Sequence, residues 1–265
     1  MIFKILRNKE FEMLKYCCLF IGHPRSGHSL VGSIIDGHPR ACISNEYNIL
    51  LKYKKFWLRD NLFKDIIQDS IEQANNGRIA GGYDYRIPGL SQGLNKELYV
   101  IGDKDGCKNT HHFLENNKVF DQFSAYVELP IRLIYVLRNP YDIVTTKGGY
   151  KDGNKVSLSR EGILESMRVV AEEASTNQRI IDEKKYPIHT VYHEELIADT
   201  EQVLKKLFSF LELEIDNNFV QNVKSYLFKD ANKSRERYAW DDELKEQMRQ
   251  SILKNEVFSR YHFEN

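Results

Sequence analysis

The stretch that most constrains this chain is an apolar run, Tyr16–Ile21, that breaks at Gly22 and re-enters regular structure as a helix from His28. The break reads Gly22-His23-Pro24-Arg25-Ser26-Gly27-His28-Ser29-Leu30. A buried strand that turns through glycines into a helix aims main-chain N–H groups and a positive helix terminus at one point. Such a turn is an anion cradle, and it commits the chain to a sheet covered by helices. Its glycines are spaced as in G-x-x-x-x-G-[K]-[ST], the nucleotide triphosphatase loop, but His28 stands where the lysine belongs. The fixed cation lies inside the loop, at Arg25.

The alternation continues along the chain. Short runs of β-formers recur at Leu98–Ile101, Ile131–Leu137 and Ile188–Tyr192. Between them, helical spacing covers His28–Gly37, Tyr141–Gly148, Ser159–Lys184 and Asp199–Leu211, the last opening on Asp199 and Gln202 as a capping box. Near-continuous apolar strands separated by helices predict the α/β class, here a three-layer, P-loop-like fold with a central parallel sheet flanked by helices. Pro88–Gly93 reads as an irregular loop. With no internal repeat or linker, residues 1–265 are expected to form a single domain whose core spans about 16–250.

Charge and cysteine content narrow the classes of partner. The 38 basic side chains equal the 38 acidic ones, which argues against a nucleic-acid partner but leaves room for a small anion in one basic cleft. No apolar run approaches the roughly 20 residues of a membrane span, and no secretory leader is evident, so a cytoplasmic location is expected. Cys17, Cys18, Cys42 and Cys107 lack metal-ligand spacing and are expected to be reduced, buried thiols, with Cys17 and Cys18 on opposite faces of one strand.

A second anion site is expected where the strand Ile131–Leu137 ends. Arg138 follows it at once, and Thr146 lies eight residues on, two helical turns away. A guanidinium and a hydroxyl so placed can grip a phosphate from two sides. At the first site, Arg25 can stabilise the bridging oxygen on which charge develops during group transfer. A sulfuryl group is less charged than a phosphoryl group and can be moved without a metal ion, so none is expected.

These segments resemble the sulfotransferases that use 3′-phosphoadenosine 5′-phosphosulfate (PAPS). Arg25-Ser26-Gly27-His28-Ser29 is similar to that family's 5′-phosphosulfate loop, and Arg138 through Thr146 to its 3′-phosphate motif. Val191-Tyr192-His193-Glu194-Glu195-Leu196, Asp199 and Phe210-Leu211-Glu212-Leu213 resemble its "YEDL…DP…FLGL" stretch, with His193 in the place of the tyrosine. Lys233-Ser234-Arg235-Glu236-Arg237-Tyr238-Ala239-Trp240 resembles its closing cofactor loop. Asp36-Gly37-His38-Pro39…Asn45-Glu46 and Gly102-Asp103-Lys104-Asp105 are closest to the tyrosylprotein and bacterial-type branch.

The resemblance implies an enzyme that passes a sulfuryl group in line from PAPS to an acceptor hydroxyl (of a glycan, a small molecule or a tyrosine-like phenol) and releases adenosine 3′,5′-bisphosphate. It implies catalytic roles for Arg25, Glu46 as base, and Lys104 and Ser234 as electrophilic helpers. Cofactor contacts are expected from Arg25, Ser26, Gly27, His28, Ser29, Arg138, Thr146, His193, Lys233, Arg235 and Arg237, with the His28 imidazole donating in place of the family's threonine. Two alternatives stay open at this level: a metal-dependent P-loop kinase acting on a small molecule, and a non-catalytic nucleotide-binding domain of the same fold.

Overall fold

The computed structural model describes residues 9–94, 97–151 and 154–264. Five strands form its central sheet: β1 (Tyr16–Gly22), β2 (Ala41–Ser44), β3 (Val100–Asp103), β4 (Ile131–Leu137) and β5 (Ile188–Tyr192). Their order is β2-β3-β1-β4-β5, and every neighbouring pair is parallel. The helices are α1 (His28–Asp36), α2 (Arg59–Asn75), α3 (Gly106–Glu115), α4 (Val119–Val127), α5 (Pro140–Gly148), α6 (Arg160–Asp182), α7 (His193–Ala198), α8 (Thr200–Phe210), α9 (Asn217–Tyr226) and α10 (Asp242–Met248). A single helical turn, Ile49–Lys52, and two short antiparallel pairs, Ile79–Ala80 with Tyr83–Asp84 and Tyr150–Lys151 with Asn154–Lys155, accompany them.

The pleat of β1 divides the core. Cys17, Leu19 and Ile21 join Leu133, Tyr135 and Leu137 in one apolar layer, which α3, α4, α5 and α6 cover with Phe113, Phe120, Phe123, Ile143 and Val170. Cys18 and Phe20 point the other way, with Ile134 and Val136, into a layer closed by Val31, Ile34 and Ile35 of α1 and by Leu204, Leu207 and Phe208 of α8. Side chains alternate across a strand, so a strand that is apolar throughout needs a cover on both faces. The three-layer expectation holds, as does the opposed placement of Cys17 and Cys18.

Two local expectations are corrected, and one strand was not expected. The strand expected at Leu98–Ile101 lies two residues later, at Val100–Asp103, because pairing to β1 and β2 sets its span. Ala41–Ser44, four residues after a proline turn, is too short to stand out in sequence, yet it is a fully buried edge strand. The Asp199 carboxylate caps α8 by accepting from the Gln202 amide at 3.3 Å, but the Gln202 side chain bonds Lys206 rather than completing a capping box.

A buried ion pair ties the outer layer to β2. The Arg78 guanidinium, 1 % exposed, donates to Asp36 at 2.6 Å, to the Ser33 hydroxyl at 3.0 Å and to the Ile43 carbonyl at 3.0 Å. Asp36 also accepts from the Ile43 amide at 2.7 Å and from the Ser70 hydroxyl at 2.9 Å. Removing one partner leaves the other charge buried and unpaired, which costs about 3–5 kcal/mol. Arg78→Met should therefore lose about that much unfolding free energy in urea titration. A loss below about 1 kcal/mol, the scale of exposed ion pairs, would show that the pair does not anchor the layer.

Candidate active site

The carboxyl ends of β1, β3 and β4 lie side by side, and the chemistry-bearing side chains gather there. After β1 the chain turns through Arg25, held at φ 69°, and Gly27, at φ 102°, into α1. Glycine is required at position 27, because a Cβ there would come within 2.6 Å of the His193 ring. Ser26 locks the turn by donating to the His23 carbonyl at 2.7 Å. The Arg25 guanidinium lies 4.1 Å from the ring centre of Tyr150 and has no carboxylate partner among the described residues.

The Lys104 ammonium, buried beyond the end of β3, donates to Ser29 at 3.0 Å and to Glu46 at 2.9 Å. Its aliphatic stem crosses α1 at Gly32, where a Cβ would lie 2.7 Å from Lys104 Cγ. Glu46 sits at φ 63° in the loop after β2, with its carboxyl more than half exposed. Partial burial works against its charge, but Lys104 and Lys108 outweigh that and hold its pKa below the ordinary carboxylate value. Glu46 and Lys104, each given a catalytic role by the resemblance, are therefore in direct contact.

What sets this loop is a residue to which sequence reasoning gave no role. Asp103, fully buried, accepts from Ser44 Oγ at 3.1 Å and from the Tyr47 and Ile49 amides at 3.0 Å each. Burial, and then the Asp105 charge, raise its pKa to about 6. Its place beside Lys104 in the matching tetrapeptide was the available signal. Tyr150, under Arg25, was missed as well.

On the other side of β1, Arg138 Nη1 donates to the Arg25 carbonyl at 3.2 Å, while Nη2 bonds the Asn232 carbonyl and, at 3.3 Å, Ser234 Oγ. Thr146 Oγ1 and His193 Nδ1 are buried without a hydrogen-bond partner. Burial, and then the Arg138 charge, lower the His193 pKa to about 4.

Residues 18–263 match the family model of the sulfotransferase domain, which covers most of the chain. The chain is a sulfotransferase. No curated protein sequence matches it. Solved structures share its fold at low identity. The sulfotransferase domain from the Synechococcus PCC 7002 olefin synthase is 12 % identical, with TM-score 0.55 over 94 % of this chain and 96 % of that one. Mouse sulfotransferase SULT7A1, complexed with PAP, is 14 % identical, with TM-score 0.52 over 93 % and 89 %. A sulfotransferase from Alicyclobacillus acidocaldarius is 15 % identical, with TM-score 0.50 over 95 % and 99 %. No helix among the described residues of the sulfotransferase is long and apolar enough to cross a membrane.

Several expected positions take different partners in this sulfotransferase. The His28 imidazole, expected as a donor to an anion, is engaged by main chain and by its neighbour in the turn. It folds back against Gly22 and Gly106, with Nε2 3.1 Å from the Ile21 carbonyl and Nδ1 3.3 Å from Ser26 Oγ. Ser234 is brought to Arg138 rather than to Lys104 and Glu46. Arg235 is buried against Asp142, donating at 2.6 Å through Nη1 and at 2.7 Å through its amide, so its guanidinium holds the loop to α5. Lys233 and Arg237 are exposed, bonded at 3.3 Å to the Glu264 carbonyl and at 3.4 Å to Asn232.

Burial, then the Lys104 charge, lower the His28 pKa from 6.5 to about 3. The unfolded chain takes up this proton as pH falls below 6.5, whereas the folded chain resists it until about pH 3. Neutral His28 thus favours the fold fully above 6.5, and that favour is lost progressively on acidification. Between about pH 7 and pH 5 the wild type should lose roughly 2 kcal/mol more than His28→Gln in paired denaturation curves. Equal losses would show that the imidazole is not held neutral.

Proposed function

We propose that this sulfotransferase moves the sulfuryl group of PAPS in line onto an acceptor hydroxyl, leaving adenosine 3′,5′-bisphosphate. The observation that carries this is a socket with two cationic ends. One end is the Gly22–Ser29 turn with Arg25. The other is Arg138 with the unpartnered Thr146 hydroxyl, and the 3.2 Å bond from Arg138 to the Arg25 carbonyl joins them. A buried hydroxyl without a partner is rare, because leaving it so costs about 1–3 kcal/mol, and a phosphate oxygen would satisfy it.

When bound, the nucleotide supplies a sulfuryl group on a phosphate that departs readily. Main-chain N–H groups at Gly27–Ser29 and the Arg25 guanidinium hold the 5′ end. Arg138 and Thr146 hold the 3′-phosphate, with Ser234 bracing Arg138 and the buried His193 within reach of the same guanidinium's charge. Glu46, kept ionised at neutral pH, takes the proton of the acceptor hydroxyl on a carboxylate oxygen. Lys104, freed from Glu46 as that proton arrives, offers its ammonium to the oxygens that gain charge. Lys233 and Arg237 contribute positive field at the rim. The PAP carried by mouse SULT7A1 on the same fold supports this choice of nucleotide.

Adenosine 3′,5′-bisphosphate should raise the melting temperature, while ATP with Mg²⁺ should not; a shift with ATP–Mg²⁺ alone would overturn the assignment. Arg138→Ala should weaken bisphosphate binding on the order of 30–100-fold by calorimetry, as loss of a charge-assisted contact demands. Glu46→Ala should cut transfer from labelled PAPS by at least about 100-fold while leaving bisphosphate affinity within about twofold. Parallel losses of both would instead make Glu46 a binding residue.

A further inference from the structure

Behind the anion loop, on the face of the sheet away from α1, three donor side chains converge that sulfuryl transfer does not use. Cys107 and His111 lie one turn apart on α3, and Glu173 reaches them from α6. Cys107 Sγ is 3.3 Å from Glu173 Oε1 and 4.0 Å from His111 Nε2, and His111 Nε2 is 3.4 Å from the same carboxylate oxygen. A tetrahedral zinc ion, with Zn–S near 2.3 Å and Zn–N and Zn–O near 2.0–2.2 Å, spaces such donors about 3.3–3.6 Å apart. The triangle is thus close to the size an ion would impose.

We propose that Cys107, His111 and Glu173 form a binding site for a zinc-class divalent cation, with the fourth position open to solvent.

The surroundings fit that chemistry. Glu173 is 1 % exposed, and a carboxylate so deep calls for a strong positive partner. Its second oxygen is held by His23 Nδ1 at 3.1 Å, and His23 Nε2 lies 3.0 Å from the Tyr135 hydroxyl. An oriented outer shell of this kind fixes a ligand's lone pairs. The His111 side chain is 45 % exposed, which opens a path for the ion from solvent. Lys147, Asp105 and Glu172 also face the cluster. Binding replaces the Cys107 S–H bond with a sulfur–metal bond and releases that proton to water. Thiolate plus carboxylate then neutralise a divalent ion, so the cluster opposite Lys147 passes from the single negative charge of Glu173 to neutral.

The position gives the ion a structural consequence. α3 already supports the loop through the bond from the Gly22 amide to Thr110 Oγ1 at 3.0 Å. Glu173 reaches the loop through His23, whose carbonyl receives Ser26. A bound ion would clamp α3 to α6 and stiffen the back of the cradle. Spacing among the cysteines alone hides the site, because two of its three ligands are not cysteines and one comes from another helix.

The test uses the full chain, stripped with chelator and titrated with Co²⁺. One equivalent should release a proton and produce a near-ultraviolet thiolate-to-cobalt band with tetrahedral visible bands, and Zn²⁺ should abolish those bands by displacing Co²⁺ with no further proton release. Cys107→Ser should remove the thiolate band, and His111→Ala, at a half-exposed position, should weaken Co²⁺ at least about tenfold. Each variant is checked for a cooperative unfolding transition; should Cys107→Ser fail it, His111→Ala decides. No thiolate band with Co²⁺, a band that survives Cys107→Ser, or unchanged affinity in His111→Ala overturns the site. None of these readouts involves PAPS or transfer, so the outcome is independent of the acceptor chemistry.

Discussion

At the carboxyl end of β3 one buried carboxylate, Asp103, receives three hydrogen bonds from a single loop, at Ser44, Tyr47 and Ile49. The bonds satisfy a charged group away from water and fix a loop in which both Glu46 and Asn48 adopt positive φ. The next residue along the strand edge is Lys104, which spans from Ser29 to Glu46. Two consecutive side chains, the last of β3 and the one just beyond it, thus place the proposed base against the start of α1. Were Asp103 unable to accept, the strained loop would have little to hold Glu46 beside Lys104.

The opposite end of the socket is built on the same principle. Asp142, on α5, carries the charge of Arg235 at 2.6 Å and lies 3.9 Å from Arg138. One carboxylate cannot neutralise two guanidinium groups. Arg235 takes the closer contact and is used in holding the C-terminal loop, while Arg138, next to the Arg25 carbonyl, is left with the longer contact to Asp142 and the charge of Glu194. Arg25, stacked on Tyr150, has no acidic partner among the described residues. The cations Arg25 and Arg138 lie at the two ends of the proposed socket, although the chain as a whole has net charge zero.

Much of this was legible beforehand. β4 and β5 fall where apolar β-forming runs placed them, and α1 begins where the glycine turn ends. Arg25 and Arg138 were visible because each follows a strand at the sheet edge where ligands bind, and Glu46 and Lys104 because their segments resemble motifs of the family. His28, Ser234 and Arg235 were different. Their neighbours in sequence are loop-like and polar, but their partners are Ile21, Arg138 and Asp142, brought in from distant segments. The cluster of Cys107, His111 and Glu173 was hidden for the same reason, since 66 residues separate the thiol from the carboxylate.

The amino-acid sequence by itself determined the layers, the strand-to-helix turn and the positions of the cations along the chain. These depend on periodicity and on glycine and proline, which act within a few residues. The tertiary structure decided which charged groups are consumed internally and which remain for a ligand. A polar side chain's role is set by the nearest partner after packing, and packing joins residues that the sequence keeps far apart.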